Sequence, residues 1–424
     1  MDASPTTTAL LLLLLTLSLA SSIFSLTSPA DVSALKAFKL AVEPSSIPAG
    51  SCLSSWDFDR DPCDSAFTDR FTCGFRCDGR DPASGLARVT ELALDPAGYS
   101  GHLPFSFWSS FPSLESLDLS DNRFSGPIPP PPPYGLPSTL RRIALSRNSF
   151  SGEIPSLTPS SSLEELYLDS NFLTGSIPHG IARLKRLELQ RNNLSGEIPD
   201  LRSLSSLYFL DASDNQLGGR FPDVLPQSLV EFSLRNNKLE GWIPSSAISA
   251  LPWLQVLDLS NNALSGTVPA AVFQHPSLEQ LVLANNEFES FEVPSDGGVG
   301  SRLIALDLGH NQLGGMLPAF IGMMPRLRAV TLEKNRFTGM IPAGYAVRAA
   351  GMGGAGVEPF ARLMLAGNYL CGPVPSLMLG GGGVPAAVSL GDNCLFRCPM
   401  EFDFCRGAQQ KPPATCRDFN PLIP

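Results

Sequence analysis

The stretch that most constrains this chain is Leu114–Pro129, LESLDLSDNRFSGPIP, because the same pattern of residue types returns eleven more times between Val89 and Pro375. Aligned, the copies read L-x-x-L-x-L-x-x-N-x-L/F-x-G-x-I/L-P. The asparagines of copies two to twelve are Asn122, Asn148, Asn171, Asn192, Asn215, Asn237, Asn262, Asn286, Asn311, Asn335 and Asn368, mostly 21 to 26 residues apart. In the L-x-x-L-x-L part, alternating leucines (Leu117 and Leu119, Leu166 and Leu168, Leu257 and Leu259) point one way and their neighbours the other, as a short strand requires. The Asn ends the strand at a bend into the interior, where its short amide both donates to and accepts from backbone groups that no ladder would satisfy. The glycine four residues later permits backbone angles closed to other residues, and the apolar-Pro pair starts an extended return. One unit cannot bury its own leucines, so units must stack; the expectation is an α/β solenoid of about 12 repeats. It would have a concave parallel β-sheet and a mostly irregular or 3-10 convex side, the sheet being on the order of 50 Å long at roughly 4.8 Å per strand. Such a face suits a macromolecule or peptide better than a small molecule.

The G-x-I-P endings (SGEIP at 151–155 and 195–199, TGSIP at 174–178, SGTVP at 265–269) resemble the plant-specific class of extracellular leucine-rich repeats. That class supplies ectodomains of receptor-like kinases and receptor-like proteins, and secreted wall proteins such as polygalacturonase inhibitors. The resemblance covers about two thirds of the chain and implies signalling or defence as the setting; the fold does not settle what is bound.

A formal charge of -10 and a sequence pI near 5.0 argue against nucleic acid, whose phosphates need a basic face, and weaken affinity for polyanionic pectin. The nine cysteines flank the first eleven repeats: Cys52, Cys63, Cys73 and Cys77 before them, and Cys371, Cys394, Cys398, Cys405 and Cys416 from the twelfth onward. This placement reads as disulfide-bonded caps in an oxidising compartment. Sequence cannot choose among three pairings of the first four. Asn368–Gly372, NYLCG, resembles the closing turn of plant repeat domains, which implies a bridge from Cys371 to a later cysteine, here Cys394. Two of Cys398, Cys405 and Cys416 would then pair and one is left over, as a covalent tether or an unpaired thiol.

Four segments follow from these signals. Residues 1–20, containing ALLLLLLTLSLA, resemble a secretory signal peptide with cleavage as late as residue 30, although MDASPTTT carries no Lys or Arg. Residues 31–88 form an N-terminal cap whose opening helix starts with Asp31 as N-cap and buries Val32, Leu35 and Phe38 on one face. Residues 89–375 hold repeats 1–12, with Ala97 in the first where Asn should stand. Residues 376–424 are a Gly-rich linker and Cys-rich tail, with no span long or apolar enough for a membrane. Three local irregularities stand out. Pro129–Pro133 is a stiff convex loop or a docking motif; repeat nine, NEFESFEVP, is one residue longer than its siblings and lacks its Gly, so a bulge is expected; and AVRAAGMGGAGVEP from Ala346 is a flexible insertion whose Gly351, Gly353 and Gly356 fit G-x-G-x-x-G without a strand before them.

No cofactor, metal or catalytic site is expected. The histidines His102, His179, His275 and His310 share no metal-ligand spacing. His310 and Asp307 take neighbouring strand-face positions without a nucleophile motif. The binding candidates are the outward positions of repeats three to six: Arg142, Ser146, Arg147, Glu165, Tyr167, Asp169, Arg186, Glu188, Gln190, Arg191, Phe209, Asp211 and Asp214. They combine bidentate donors, carboxylates and two exposed aromatics, the residue types of interface anchors. Repeats eight, nine, ten and twelve are blander, with Val256, Val282, Ala284, Ala305, Met364 and Ala366. The lone sequon, Asn193-Leu194-Ser195, is a glycosylation candidate. The expected function is a secreted, extracellular module binding a peptide, a glycan or a partner ectodomain. The alternatives are a structural wall protein and an inhibitor of a wall-degrading enzyme.

Overall fold

The computed structural model describes residues 26–157, 162–178, 183–354, 356–379, 385–396, 398–399, 402–406 and 409–419. The leader, His179, Gly380–Gly383 and the last five residues lie outside them. The chain divides into two units, Met1–Asn148 and Ser149–Pro424.

The first unit opens with a helix over Pro29–Ala41. It starts two residues before the expected N-cap because Pro29 sits in its first turn, where the missing N–H costs nothing. Asp31 is therefore no cap; it is fully buried in the first turn and bonded to Arg88. Leu35 and Phe38 are buried as expected, and Val32 only half so. Phe38 packs its ring within 6.4 Å of Trp56, 6.0 Å of Phe107 and 6.1 Å of Phe124, so the helix plugs the end of the leucine core. Disulfides Cys52–Cys73 and Cys63–Cys77 tie the following segment together. Its strand Gly74–Arg76 runs antiparallel to Glu91–Ala93, covering an edge that would otherwise be open, and Ser116–Asp118 and Arg142–Ala144 continue in parallel. The proline run is held at both ends: Trp108 Nε1 donates to Pro129 O at 2.7 Å and Gly135 N to Pro132 O at 2.8 Å.

The second unit is a leucine-rich-repeat solenoid in which ten strands, from Glu165–Tyr167 to Ala387–Ser389, pair in parallel and in sequence order. Leu187, Leu210, Phe232 and Leu257 point inward and are buried. Each ladder asparagine stitches its own bend to the preceding turn. Asn215 accepts Leu194 N–H at 3.0 Å on Oδ1 and donates through Nδ2 to Leu189 O (2.9 Å), Ala212 O (3.2 Å) and Ser213 O (3.0 Å). A side chain one methylene longer could not sit in that ring of four partners. At Gly219 (φ +76°) a Cβ would stand 2.7 Å from Glu197 Cγ, so both conformation and space demand glycine.

The residue before each ladder asparagine is a feature the repeat pattern concealed. Ser170, Arg191, Asp214, Asn236, Asn261, Asn285, His310 and Lys334 all have φ between +53° and +58°. The left-handed bend aims each N–H at a carbonyl one repeat further on, as from Asp214 N to Arg235 O at 2.8 Å. The frequent Asn and Asp there were the available signal, since these tolerate that conformation best. Arg147, Arg191 and His310 thus stand in bends and not on the strand face.

Repeat nine carries its bulge: Phe288 pairs with Gly266 and Ser290 with Thr267, leaving Glu289 extra. The insertion is not a loose excursion. Ala343–Ala349 is a helix, and buried Arg348 donates to the carbonyls of Glu358, Ile321, Gly322, Met324 and Leu327, with Phe360 stacked 3.9 Å away. The Gly351–Gly356 run lies between Arg348 and Glu358, on a loop held at both ends by that guanidinium. A further turn follows the expected twelve. Ala387–Ser389 joins the sheet and Asn393 makes the ladder bonds, accepting Leu370 N–H at 3.1 Å and donating to Leu365 O at 3.0 Å. Residues assigned to a tail thus form a last repeat, disguised because Pro385 and Val388 stand in the first two leucine places and only Leu390 keeps the pattern.

The C-terminal pairing differs from the one implied by resemblance. Cys394 bonds Cys416 on the helix Pro413–Phe419, Cys398 bonds Cys405, and Cys371 is free. Cys371 and Cys394 are register partners on adjacent parallel strands, where Cβ vectors run side by side at about the 4.8 Å strand spacing and do not converge.

Candidate functional site

On the sheet of the second unit the residues flanking each inward side chain form solvent-facing columns, in register from strand to strand. Arg186 stands beside Glu165 on one side and Phe209 on the other; Glu188 stands between Tyr167 and Asp211. The Arg186 guanidinium lies 3.7 Å from the Phe209 ring centroid and 5.9 Å from that of Tyr167, and its Nε donates to Glu188 Oε1 at 2.6 Å. Glu188 Oε2 accepts from Gln190 Nε2 at 3.2 Å, while Gln190 Oε1 is buried with no donor. Burial works to lower the pKa of Arg186, but the hydrogen bond and charge of Glu188 outweigh it and the net shift is upward. Tyr167 and Phe209 are half-buried beside the guanidinium instead of freely exposed, so the arginine is oriented before any ligand arrives.

The remaining predicted residues divide. Asp169 is buried and accepts Ser170 Oγ at 3.1 Å. Tyr167 Oη donates to Glu165 Oε2 at 3.1 Å. Arg191 reaches Asp214 at 4.0 Å, and Arg235, outside the expected set, reaches the same carboxylate at 3.6 Å. Arg142 and Arg147 belong to the first unit, paired with Asp118 (3.6 Å) and Asp121 (3.2 Å). Asn193 is exposed, and its backbone N–H donates to Leu173 O, which leaves the amide outward.

The contrast between rich and bland repeats does not hold along the whole of the middle column, where Val282 and Met364 are bland but Asp258 and Asp307 are not. The middle column continues from Glu188 and Asp211 through Ser233, Asp258, Val282 and Asp307 to Thr331. Asp258 and Asp307 are half-buried like Asp211, and all three use Oδ1 to accept the N–H two residues on: Ser213 at 2.9 Å, Ser260 at 3.0 Å and Gly309 at 2.9 Å. Burial, with neighbouring carboxylates adding to it, pushes the pKa of Asp211 and of Asp307 upward against those bonds. His310 lies 3.8 Å from Glu333. His275 is buried, with Nδ1 accepting Ser277 and Leu278 N–H, a structural placement. This face can bind through charge and hydrogen bonds.

Comparisons agree with the repeat reading. Family models described as leucine-rich repeat match residues 227–288, 113–134, 162–184 and 183–203. The chain is similar to the crystal structure of PEPR1–AtPEP1, with a TM-score of 0.71 and 30% identity over 90% of this chain and 51% of that one. It is also similar to the leucine-rich-repeat ectodomain of the Arabidopsis receptor kinase HAESA in complex with an N-terminally extended IDA peptide hormone (TM-score 0.62, 27% identity, 72% and 54% covered). A third match is the plant peptide hormone receptor RGFR1 in complex with RGF2 (TM-score 0.56, 26% identity, 70% and 50% covered). The chain thus spans about half the length of the solved chains it matches, one of which is a receptor kinase ectodomain holding a peptide hormone and another a plant peptide hormone receptor in complex with RGF2.

Proposed function

We propose that this chain is a secreted recognition module that binds a peptide or a partner ectodomain on the solvent-facing sheet of its repeats, in cell-surface signalling or defence. The observation that carries the reading is the oriented Arg186, held against Phe209 and Glu188 on a strand face where its side chain stays 29% exposed among the described residues. A side chain already fixed loses little entropy on binding, which is how a shallow face reaches useful affinity. The similar solved receptors in complex with a peptide hormone and with RGF2 support it, as do the four disulfides of an oxidising compartment. Asn193 would carry the glycan.

The test is affinity capture with the full disulfide-bonded chain, identification of the captured partner, and titration of that purified partner. Replacing Arg186 and Tyr167 together by Ala abolishes binding on this reading. Affinity held within about 0.5 kcal/mol, an ordinary surface effect, would overturn it. The second reading, a wall protein fixed covalently, is favoured by the unpaired, half-exposed Cys371. A free apoplastic protein is extracted by salt alone, whereas a protein tethered through that thiol needs a reductant.

A further inference from the structure

Resting on the reading of the sheet as the binding face, the middle column specifies what kind of peptide fits. Its carboxylates Asp211, Asp258 and Asp307 occur on every second strand, separated by Ser233 and Val282. Among the described residues none of the three is ion-paired, whereas Glu188 has Arg186 and Asp214 has Arg191 and Arg235. Each of the three accepts one backbone N–H, which compensates its burial only in part, and a ligand cation would supply the missing opposite charge. The ten strands together carry six carboxylates and two guanidiniums, so the face attracts positive charge.

Spacing then selects the ligand's conformation. Alternate strands of a parallel sheet are about 9.6 Å apart. A β-extended peptide returns a side chain to the same side every two residues, about 6.6 Å, and misses the rungs. An α-helix returns after seven residues, about 10.5 Å, and is out of step by about 2 Å at the third rung. A polyproline II helix has three residues per turn and rises about 9.3 Å in that turn, which matches. It also makes no internal hydrogen bonds and is ordered before binding, so little entropy is lost.

We infer that the middle column binds a cationic, proline-rich peptide running across the strands in the polyproline II conformation, with Lys or Arg at every third position on Asp211, Asp258 and Asp307. The side chains between rungs, Ser233 and Val282, are short enough to leave room for the peptide's rings. The upward pKa shifts of Asp211 and Asp307 agree, because burial penalises a charge that the ligand would neutralise.

Three synthetic peptides test this against the full chain by fluorescence anisotropy: Lys-Pro-Pro-Lys-Pro-Pro-Lys, its isomer Lys-Lys-Lys-Pro-Pro-Pro-Pro, and the spaced sequence with Glu for Lys. The spaced cationic peptide is expected to bind about tenfold tighter than its isomer, a difference of about 1.4 kcal/mol. Asp258→Asn keeps an acceptor for the Ser260 N–H, so the fold is retained, and it should weaken the spaced peptide about tenfold. Glu240→Gln, an exposed carboxylate off this column, should change nothing. Equal binding of the two isomers, or indifference to Asp258→Asn, overturns the inference. So does binding of the Glu peptide or of none of the three, and the broader reading of the face is then judged separately by the Arg186 and Tyr167 titration.

Discussion

Asp31 and Arg88, 57 residues apart, form a two-pronged buried ion pair: Arg88 Nε and Nη2 each donate at 2.9 Å to the two carboxylate oxygens. Asp31 Oδ2 also accepts Val89 N–H at 2.7 Å, so one side chain fastens the opening helix to the first repeat. Asp31→Ala leaves Arg88 with only the longer contact of its Nη1 to Asp81 at 3.5 Å and strands the Val89 N–H, and should destabilise the first unit by about 3 kcal/mol. Changing both residues to apolar ones of similar volume should recover much of the loss, measured by chemical denaturation with tryptophan fluorescence from Trp56 and Trp108. A double variant as unstable as Asp31→Ala would count against this account.

Arg348 is the corresponding pin in the second unit. Burial drops its pKa to about 10, and five carbonyls and the Phe360 ring surround it. Arg348→Met removes their donors and should cost about 3 kcal/mol or more, since several buried acceptors lose their partners at once. Hydrogen exchange should speed up first around Gly351–Glu358, and an unchanged exchange pattern there would show that the helix holds the insertion alone.

The asparagine ladder makes an equally sharp expectation. Asn215→Ala strands the Leu194 N–H in the core, while the Leu189 carbonyl keeps its donor from Asn192 Nδ2 at 3.1 Å, for a cost of about 1–3 kcal/mol. Asn215→Gln restores the chemistry but not the reach, and should be nearly as damaging in a urea melt.

Asp211 gives a pH signature. Its folded pKa is raised above the ordinary 3.8 of the unfolded chain, so its ionisation opposes folding at neutral pH and the penalty disappears on acidification. Asp211→Asn should therefore raise the melting temperature at pH 7, with the gain shrinking as pH falls toward 3.8. A gain that grows on acidification would reverse the sign of this assignment.

Thiol titration after denaturation without reductant should find one reactive cysteine per chain, and none in Cys371→Ser. Cys416→Ser should free Cys394 and cost about 3 kcal/mol, typical for opening a loop of 22 residues.

The repeat period, the inward leucines, the bulge of repeat nine and the buried asparagines were all legible in the sequence, because each follows from local backbone geometry and side-chain length. The columns of the binding face were only half legible. Strand alternation says which residues face outward, and so picked out Arg186, Tyr167 and Phe209. It does not say that Arg186 is already held by Glu188 and Phe209, or that Asp211, Asp258 and Asp307 fall into line on alternate strands, since those facts depend on register between segments some twenty residues apart. The same limit explains the cysteines. Composition and compartment dictate that they pair, but Cys394 meets Cys416 and not Cys371 because parallel neighbours hold their Cβ vectors apart while a returning helix brings one in, and only the folded chain decides which geometry occurs.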